Sequence, residues 1–463
     1  MKRTPTAIAT GVSQRDIIGA NTANLRALMR AYKKRRRPVT VNFRELVPWL
    51  RYSAERASHS IHPYPAKVLV NIPHFFLANE VLSGDGDFVL DPFCGSGTVL
   101  LEAILANRNG LGVDANPLAR LIANVKTTPL ECDCLETAAV DLIARVEGSV
   151  GECEVPDVVN IEHWFYPHVV EQLCAIRSAI QGVGRPVFRR FFWLCFSWCS
   201  RRVSLADPRI SVPVRARPDT YPDGHWLREK TERRLNRLRR INVLKEFAAI
   251  VYENLERMRR LGGMVNGEVS EIIASDARRL CEMPRGDWPK AQLIMTSPPY
   301  VGAQKYVRAS SLSMGWLGLC RSSGLRRCEE LSIGREHYYQ SEYPSLLPTG
   351  VPAADRFLEK IYKVYPLRAH IAANYLVEMR SAFTNASKML KRGGHLILVA
   401  GVNRVCGSRF STKEHLAMIL EEIGFTRELE LVDAIRSHGL MTKRNRTASV
   451  IERESVLLFR KDD

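Results

Sequence analysis

The run Leu293-Ile294-Met295-Thr296-Ser297-Pro298-Pro299-Tyr300 decides how the rest of this 463-residue chain is read. Three apolar residues make a short buried strand, which stops at polar residues, two prolines and an aromatic ring. Neither proline has an N–H and each fixes its φ, so neither can continue the ladder. The residue before each proline is held extended. What results is a stiff turn at the strand's C-terminal end, carbonyls outward, with Ser297 and Tyr300 beside them. In an open α/β sheet that is where ligands bind.

Upstream, Gly84-Asp85-Gly86-Asp87 is a turn and Phe88-Val89-Leu90-Asp91 a second short buried strand. Pro92-Phe93-Cys94-Gly95-Ser96-Gly97-Thr98 follows and runs into the apolar helix Val99-Leu100-Leu101-Glu102-Ala103. Strand, glycine loop and helix are the parts of a Rossmann-like nucleotide site, in which glycines let a ligand approach the backbone. Position 100 is Leu, so the full G-x-G-x-x-G is missing, which suits a ligand with no pyrophosphate to cradle. A third strand, Gly110-Leu111-Gly112-Val113-Asp114, ends 17 residues beyond Gly97. Asp114 there can accept hydrogen bonds from ribose hydroxyls, or it caps a helix ahead of Pro117.

Other segments are less specific. Residues 1–57 form a basic arm with Lys33-Lys34-Arg35-Arg36-Arg37 before Pro38, a solvated run or, in a nucleic-acid protein, a phosphate contact. His62-Pro63-Tyr64-Pro65-Ala66-Lys67 is an extended lead into a helical pattern over 68–82. Residues 58–130 hold the first strands and the glycine loop. From 131 to 266 the strand–helix alternation breaks off, and the length exceeds any simple crossover, so this is an inserted, mainly helical lobe. It contains a buried helix around 191–199, a Pro/Arg-rich loop at 208–223, and a long amphipathic helix. That helix carries Arg233, Arg234, Arg237, Arg239 and Arg240, then a core stripe of Leu244, Phe247, Val251, Leu255 and Met258. Residues 267–463 resume the sheet. A strand ends near Asp276, which either lines a site or caps a helix, and the opening stretch follows. A long helix carries Ile371, Tyr375, Met379 and Phe383, the turn Lys391-Arg392-Gly393-Gly394 leads into a strand at 395–401, and strands at 428–432 and 449–459 flank a basic loop at 438–446.

A hydrophobic fraction of 46% is ordinary for a globular protein, but 67 Lys+Arg against 49 Asp+Glu gives net +18 and points to a polyanionic partner. Eleven scattered cysteines with no C-x-x-C pair suggest reduced thiols and no metal site. No stretch has the look of a signal peptide or a membrane span, so a cytoplasmic, nucleoid-associated prokaryotic protein is expected.

The loop Asp91-Pro92-Phe93-Cys94-Gly95-Ser96-Gly97-Thr98 and the turn Ser297-Pro298-Pro299-Tyr300 resemble the cofactor and catalytic motifs of amino-methylating DNA methyltransferases. The resemblance covers 58–130 and 266–402. It implies an α/β fold with a Rossmann-like, seven-stranded, mostly parallel sheet and an antiparallel C-terminal strand, using S-adenosylmethionine. It implies donor contacts from Asp91, Phe93, Gly95, Gly97, Thr98, Asp114, Asn116 and Asp276, with Pro65 and Lys67 in a segment closing over the methionine end. Tyr306-Val307-Arg308 with Trp316-Leu317-Gly318 is also similar to members of this group, and Tyr306 and Arg308 join Lys33 to Arg37 as expected nucleic-acid contacts. Ser297, Pro298, Pro299 and Tyr300 would hold the base, and a serine first suggests cytosine N4 before adenine N6.

Chemistry agrees with the resemblance. An exocyclic amine is a poor nucleophile because its lone pair is delocalised into the ring. Acceptors on its N–H groups, the Ser297 hydroxyl and the Pro298 carbonyl, favour a tetrahedral nitrogen aimed at the methyl donor. Tyr300 would stack on a flipped base, worth roughly 1–3 kcal/mol. No Pro-Cys dipeptide supplies the nucleophile that cytosine C5 chemistry needs. The expected partner is double-stranded DNA read by the lobe or by the loop 301–366, with a cognate restriction endonuclease acting on the same site and a monomer or dimer as the working form. The alternatives are a tRNA guanine-N2 methyltransferase and a non-catalytic nucleic-acid-binding subunit.

Overall fold

The computed structural model describes residues 13–50, 55–65, 67–148, 154–282, 288–302, 306–401, 403–434 and 453–462. Its centre is an eight-stranded sheet built from β1 (Val39–Val41), β2 (Phe88–Asp91), β3 (Asn109–Val113), β4 (Ser270–Ala274), β5 (Ala291–Thr296), β6 (Leu390–Gly401), β9 (Phe425–Ala434) and β10 (Arg453–Lys461). Strands β7 (Asn403–Val405) and β8 (Ser408–Phe410) form a separate hairpin. The order across the sheet is β1-β9-β10-β6-β5-β2-β3-β4. All neighbours are parallel except β10, which lies antiparallel between β6 and β9. The Rossmann-like α/β sheet with an antiparallel C-terminal strand is therefore present, with one strand more than the seven expected.

That extra strand is β1, and it corrects the reading of residues 1–57 as a basic arm. Helix Gln14–Arg35 is capped by Ser13, whose hydroxyl accepts from the Asp16 N–H, and it buries Leu25 and Tyr32. Leu25, Leu28, Met29 and Tyr32 have the i, i+3, i+4, i+7 spacing of an amphipathic face, a signal hidden by the neighbouring charge run. Lys33, Lys34 and Arg35 are the last turn of this helix, and all five residues of the run are exposed.

Alternation along the central strands sorts the two faces of the sheet. Val89, Leu293, Met295, Ile397 and Val399 pack with Leu25, Phe43, Phe75 and Phe76 from the N-terminal segment. Leu90, Ile294, Leu396 and Leu398 point the other way, onto Ala372, Leu376, Met379 and Phe383 of helix Pro366–Lys388. Both faces are covered, which is why these strands read as continuous apolar runs. A third core joins Leu101, Ile104 and Ile122 to the helices at 132–262 and to Val307, Leu312 and Trp316.

Several boundaries differ from the sequence reading. The helix expected over 68–82 is only Asn71–Leu77, and Asn79, whose side chain accepts from the Val81 N–H at 2.7 Å, starts a turn just beyond it. The single long helix of the lobe is two, Trp226–Leu238 and Val243–Gly262, because Asn242 caps the second by accepting from the Lys245 N–H. The turn at 391–394 lies within β6, as an irregularity in its pairing to β5 with Gly393 at φ 66°. Strand β9 is longer than 428–432. The basic loop 438–446 and the start of the strand expected at 449 lie outside the described residues.

Candidate active site

Chain order places β3 and β4 on one side of β2 and β5 and β6 on the other. The crossovers therefore diverge at the β2/β5 pair, and a crevice opens at the C-terminal ends of these strands. Both motifs emerge there. Val89 and Leu90 pair with Leu293 and Ile294, so Asp91 ends β2 beside Thr296. The Thr296 hydroxyl donates to Asp91 Oδ1 at 2.7 Å and the Phe93 N–H donates to the same oxygen at 3.1 Å. This tie joins the two motif strands. Burial lifts the Asp91 carboxyl to about 7 despite both donors.

The glycine loop needs its glycines for two reasons. Gly95 and Gly97 have φ of 51° and 75°, and a side chain on Gly97 would meet Ala123 Cβ at 2.9 Å. The loop is fixed from below: the Gly95 N–H donates to Asp114 Oδ2 at 2.9 Å and the Asn116 N–H to Asp114 Oδ1 at 2.8 Å. Burial raises the Asp114 carboxyl above its ordinary value, opposed by these two donors and by Arg120. Asn116, not Asp114, caps the helix Pro117–Thr127 by accepting from the Leu118 N–H. Its amide N–H groups also reach the Tyr64 hydroxyl at 3.3 Å and the Ser310 hydroxyl at 3.1 Å. One side chain thus joins the β3 end, the 58–65 segment and the helix Tyr306–Trp316.

A cleft of about 700 Å³ opens over this framework. Phe93, Gly95, Asp114, Asn116 and Asp276 line it, and so do Ser297 and Pro299 of the proline turn. Lining residues from 92–116 and 275–299, distant in sequence, share one wall. A second cavity of about 570 Å³ is lined by Tyr300, Gly334 and Arg335. The two cavities share Tyr306, Ser332 and Ile333. The turn therefore presents Ser297 and Pro299 to one space and Tyr300 to the next.

Other expected residues fall elsewhere. Asp91, Gly97 and Thr98 are not in the lining and support the loop; Asp91 and Thr98 are buried. Pro298 is buried and lines neither space. Pro65 and Lys67 do not line the cleft, and the Lys67 ammonium donates to the His62 carbonyl at 2.9 Å. Asp276 both lines the cleft and caps a turn: it accepts from the Arg278 N–H at 2.9 Å and pairs with that residue's guanidinium at 2.8 Å. Arg308 is exposed one turn from the cleft. Lys33 to Arg37 precede β1, at the opposite edge from β4 and four strands from β5, and are not brought to the cleft. Tyr64 and Ile333 line it without having been singled out. Tyr64 sits inside the quoted 62–67 motif, whereas nothing around Ile333 is distinctive.

The lining suits one kind of ligand. In a chain of net +18, its lining among the described residues holds two carboxylates, Asp114 and Asp276, and no Lys, Arg or His, with Arg278 paired to Asp276 from outside the lining. A phosphate would meet carboxylates in that described lining, whereas an uncharged nucleoside carrying a cationic group would meet aromatic rings and acceptors. S-adenosylmethionine, with an adenosine and a sulfonium, fits that description.

The fold is a Rossmann-like α/β sheet with a cleft at its topological switch point. A sequence model of the DNA methylase family, covering N6 and N4 enzymes, matches residues 23–124. The Type II methyltransferase M.MvaI of Kocuria varians is 28% identical over 288 residues, 58% of this chain and 60% of that protein. The Type II methyltransferase M.MjaII of Methanocaldococcus jannaschii is 33% identical over 89 residues, 19% of this chain and 16% of that protein. The chain spans about three fifths or less of the length of these relatives. The rRNA methyltransferase aviRa from Streptomyces viridochromogenes, 12% identical, covers 88% of this chain and 92% of that one at a TM-score of 0.28, too slight a likeness to carry weight. The chain is a relative of the amino-methylating DNA methyltransferases, whose methyl donor is S-adenosylmethionine.

Proposed function

We propose that this chain methylates an exocyclic amine of a base in double-stranded DNA, cytosine N4 ahead of adenine N6. The observation that carries the reading is the shared wall: Ser297 and Pro299 line the same cleft as Phe93, Gly95 and Asp114. A donor seated on the glycine loop would lie beside acceptors suited to an amine. Ser297 in the first position of the turn supports cytosine, and the match of residues 23–124 to the DNA methylase model supports DNA.

In this reading Asp114 takes the ribose, Phe93 and Asp276 flank the adenine, and Tyr64 walls the cleft above Gly95. Bound there, S-adenosylmethionine would supply an electrophilic methyl group to the amine nitrogen, its C–S electron pair going to the departing thioether and the amine proton passing to water in the open cleft. The Ser297 hydroxyl and the Pro298 carbonyl accept from the amine and turn its lone pair toward the cleft. Tyr300, facing the second cavity, gives the flipped base a ring to stack on. The exposed Lys33 to Arg37 run and Arg308 add sequence-independent phosphate contacts. A role beside a restriction endonuclease belongs to this proposal. Among the described residues no helix is long and apolar enough to cross a membrane.

The test is incubation with labelled S-adenosylmethionine and either duplex DNA or tRNA, followed by nucleoside analysis. N4-methylcytosine in DNA is the expected product. N6-methyladenine would move the assignment to the second base, and label confined to RNA guanine would overturn it.

A further inference from the structure

Glu102 is a carboxylate with no exposure, on the helix Thr98–Ile104 that leaves the glycine loop. An isolated anion at such a site is costly, so its partners define what it does. His59 Nε2 donates to Oε1 at 2.7 Å, His74 Nδ1 donates to Oε2 at 2.9 Å, and the Arg56 guanidinium pairs with Oε2. Trp49 Nε1 donates to His74 Nε2 at 3.1 Å, which occupies that nitrogen's lone pair and leaves the His74 hydrogen on Nδ1, aimed at Glu102. Burial lowers His59 to about 4, so it is a neutral imidazole whose one hydrogen goes to the carboxylate. Burial alone would raise Glu102, but Arg56, His59 and His74 together hold it well below the usual carboxylate range.

Three of these donors come from the chain on either side of the segment that walls the cleft. Beyond His59, the Ile61 carbonyl accepts from Asn254 Nδ2 at 3.0 Å and His62 Nε2 meets the Ser197 hydroxyl at 3.0 Å, so the lobe holds the middle of the segment. Tyr64 follows, its ring 3.8 Å from where a side chain on Gly95 would begin and its hydroxyl accepting from Asn116. Segment and glycine loop are separate in sequence, and Glu102 ties one to the helix of the other.

We propose that Glu102 is a positioning residue for the methyl donor: its buried carboxylate holds the 56–65 segment so that Tyr64 closes the cleft over the glycine loop. The proposal rests on the cleft being the donor site. Gln at 102 keeps the shape but turns an N–H₂ toward the donors of His74 and Arg56, so the segment is released without a cavity being made.

The experiment measures S-adenosylmethionine binding by calorimetry, with steady-state kinetics, on the full chain and its variants. Glu102→Gln is expected to weaken donor binding and raise its KM about tenfold, equivalent to ~1.4 kcal/mol, with kcat changed less than about threefold. A second pair leaves the carboxylate in place: His59→Phe removes one donor, and His59→Gln keeps an N–H. Loss in the Phe variant with recovery in the Gln variant supports the proposal. Unchanged donor affinity in a folded Glu102→Gln or His59→Phe protein overturns it, as does an equal fall in kcat with no change in KM. If the wild-type chain itself binds no S-adenosylmethionine, the cleft assignment fails, and this inference with it.

Discussion

Ser297 and Asp91 show how much one position can decide. Ser297 lines the cleft at the end of β5, and in the proposed reaction its hydroxyl grips the amine, so Ser297→Ala is expected to lower turnover by about 10²-fold. Donor binding, measured by calorimetry, should stay within about threefold, because the glycine loop and Asp114 are untouched. Asp91 works on stability instead. Its carboxyl sits at about 7 in the folded chain against an ordinary 3.8, so between these values the folded state holds a proton that the unfolded state has released. Stability therefore falls as pH rises through that window, by about 4 kcal/mol at most for a shift of this size. Thermal melts should drop from pH 5 to pH 8 in the wild type, and Asp91→Asn, which can still accept from Thr296 and Phe93, should flatten the drop. A melt of Asp91→Asn as steep as the wild type's would remove this residue as the source. Asp114 and the glycines were legible as single letters because strand-end chemistry restricts what can stand there. Glu102 was not, since a lone acidic residue in an apolar helix looks like a surface position until its partners are in place.

At the scale of elements, the N-terminal helix is the clearest case. Leu25 is fully buried against the sheet, so Leu25→Ala should cost about 2–5 kcal/mol and lower the melting temperature, which a dispensable arm would not do. Charge dominated the reading of this stretch because five consecutive basic residues outweigh four apolar ones spaced along a helix. The lobe offers a second prediction. Trp226 is 62% exposed, stacked with His225 at 6.1 Å and 21°, and His225 with Tyr221 at 5.3 Å and 19°. Arg209 lies over Tyr221 and Lys230 over Trp226. In the proposed function, these rings and cations together offer a surface for nucleic acid. Trp226→Ala should raise the KM for duplex DNA about tenfold and leave the donor KM alone; equal DNA affinity in filter binding would exclude this surface. The split between helices Trp226–Leu238 and Val243–Gly262 was missed because a single Asn within an arginine-rich run is a weak stop signal, and its capping bond exists only once the chain turns.

For the whole molecule, an excess of 18 positive charges coexists with a cleft whose described lining carries no Lys, Arg or His side chain. In the proposed reading, exposed charge such as the Lys33 to Arg37 run is free to meet phosphates away from the cleft. DNA affinity should accordingly fall steeply between about 50 and 200 mM salt, while donor affinity changes little over the same range. What the sequence alone determined is the set of parts whose chemistry is local: the strand that must stop at Ser297-Pro298-Pro299-Tyr300, the glycine loop at 95–97, the acidic strand end at 114, and the Rossmann-like class they imply. Proline's missing N–H, glycine's positive φ and the two-residue period of a strand act over a few bonds, so they are written in neighbouring letters. Only the tertiary structure decided that β1 completes an eight-stranded sheet, that the lobe shares a core with the glycine-loop helix, and that Glu102 holds Tyr64's segment in place. Those outcomes depend on which distant surfaces meet, and burial, charge pairing and histidine tautomer acquire values only after they do.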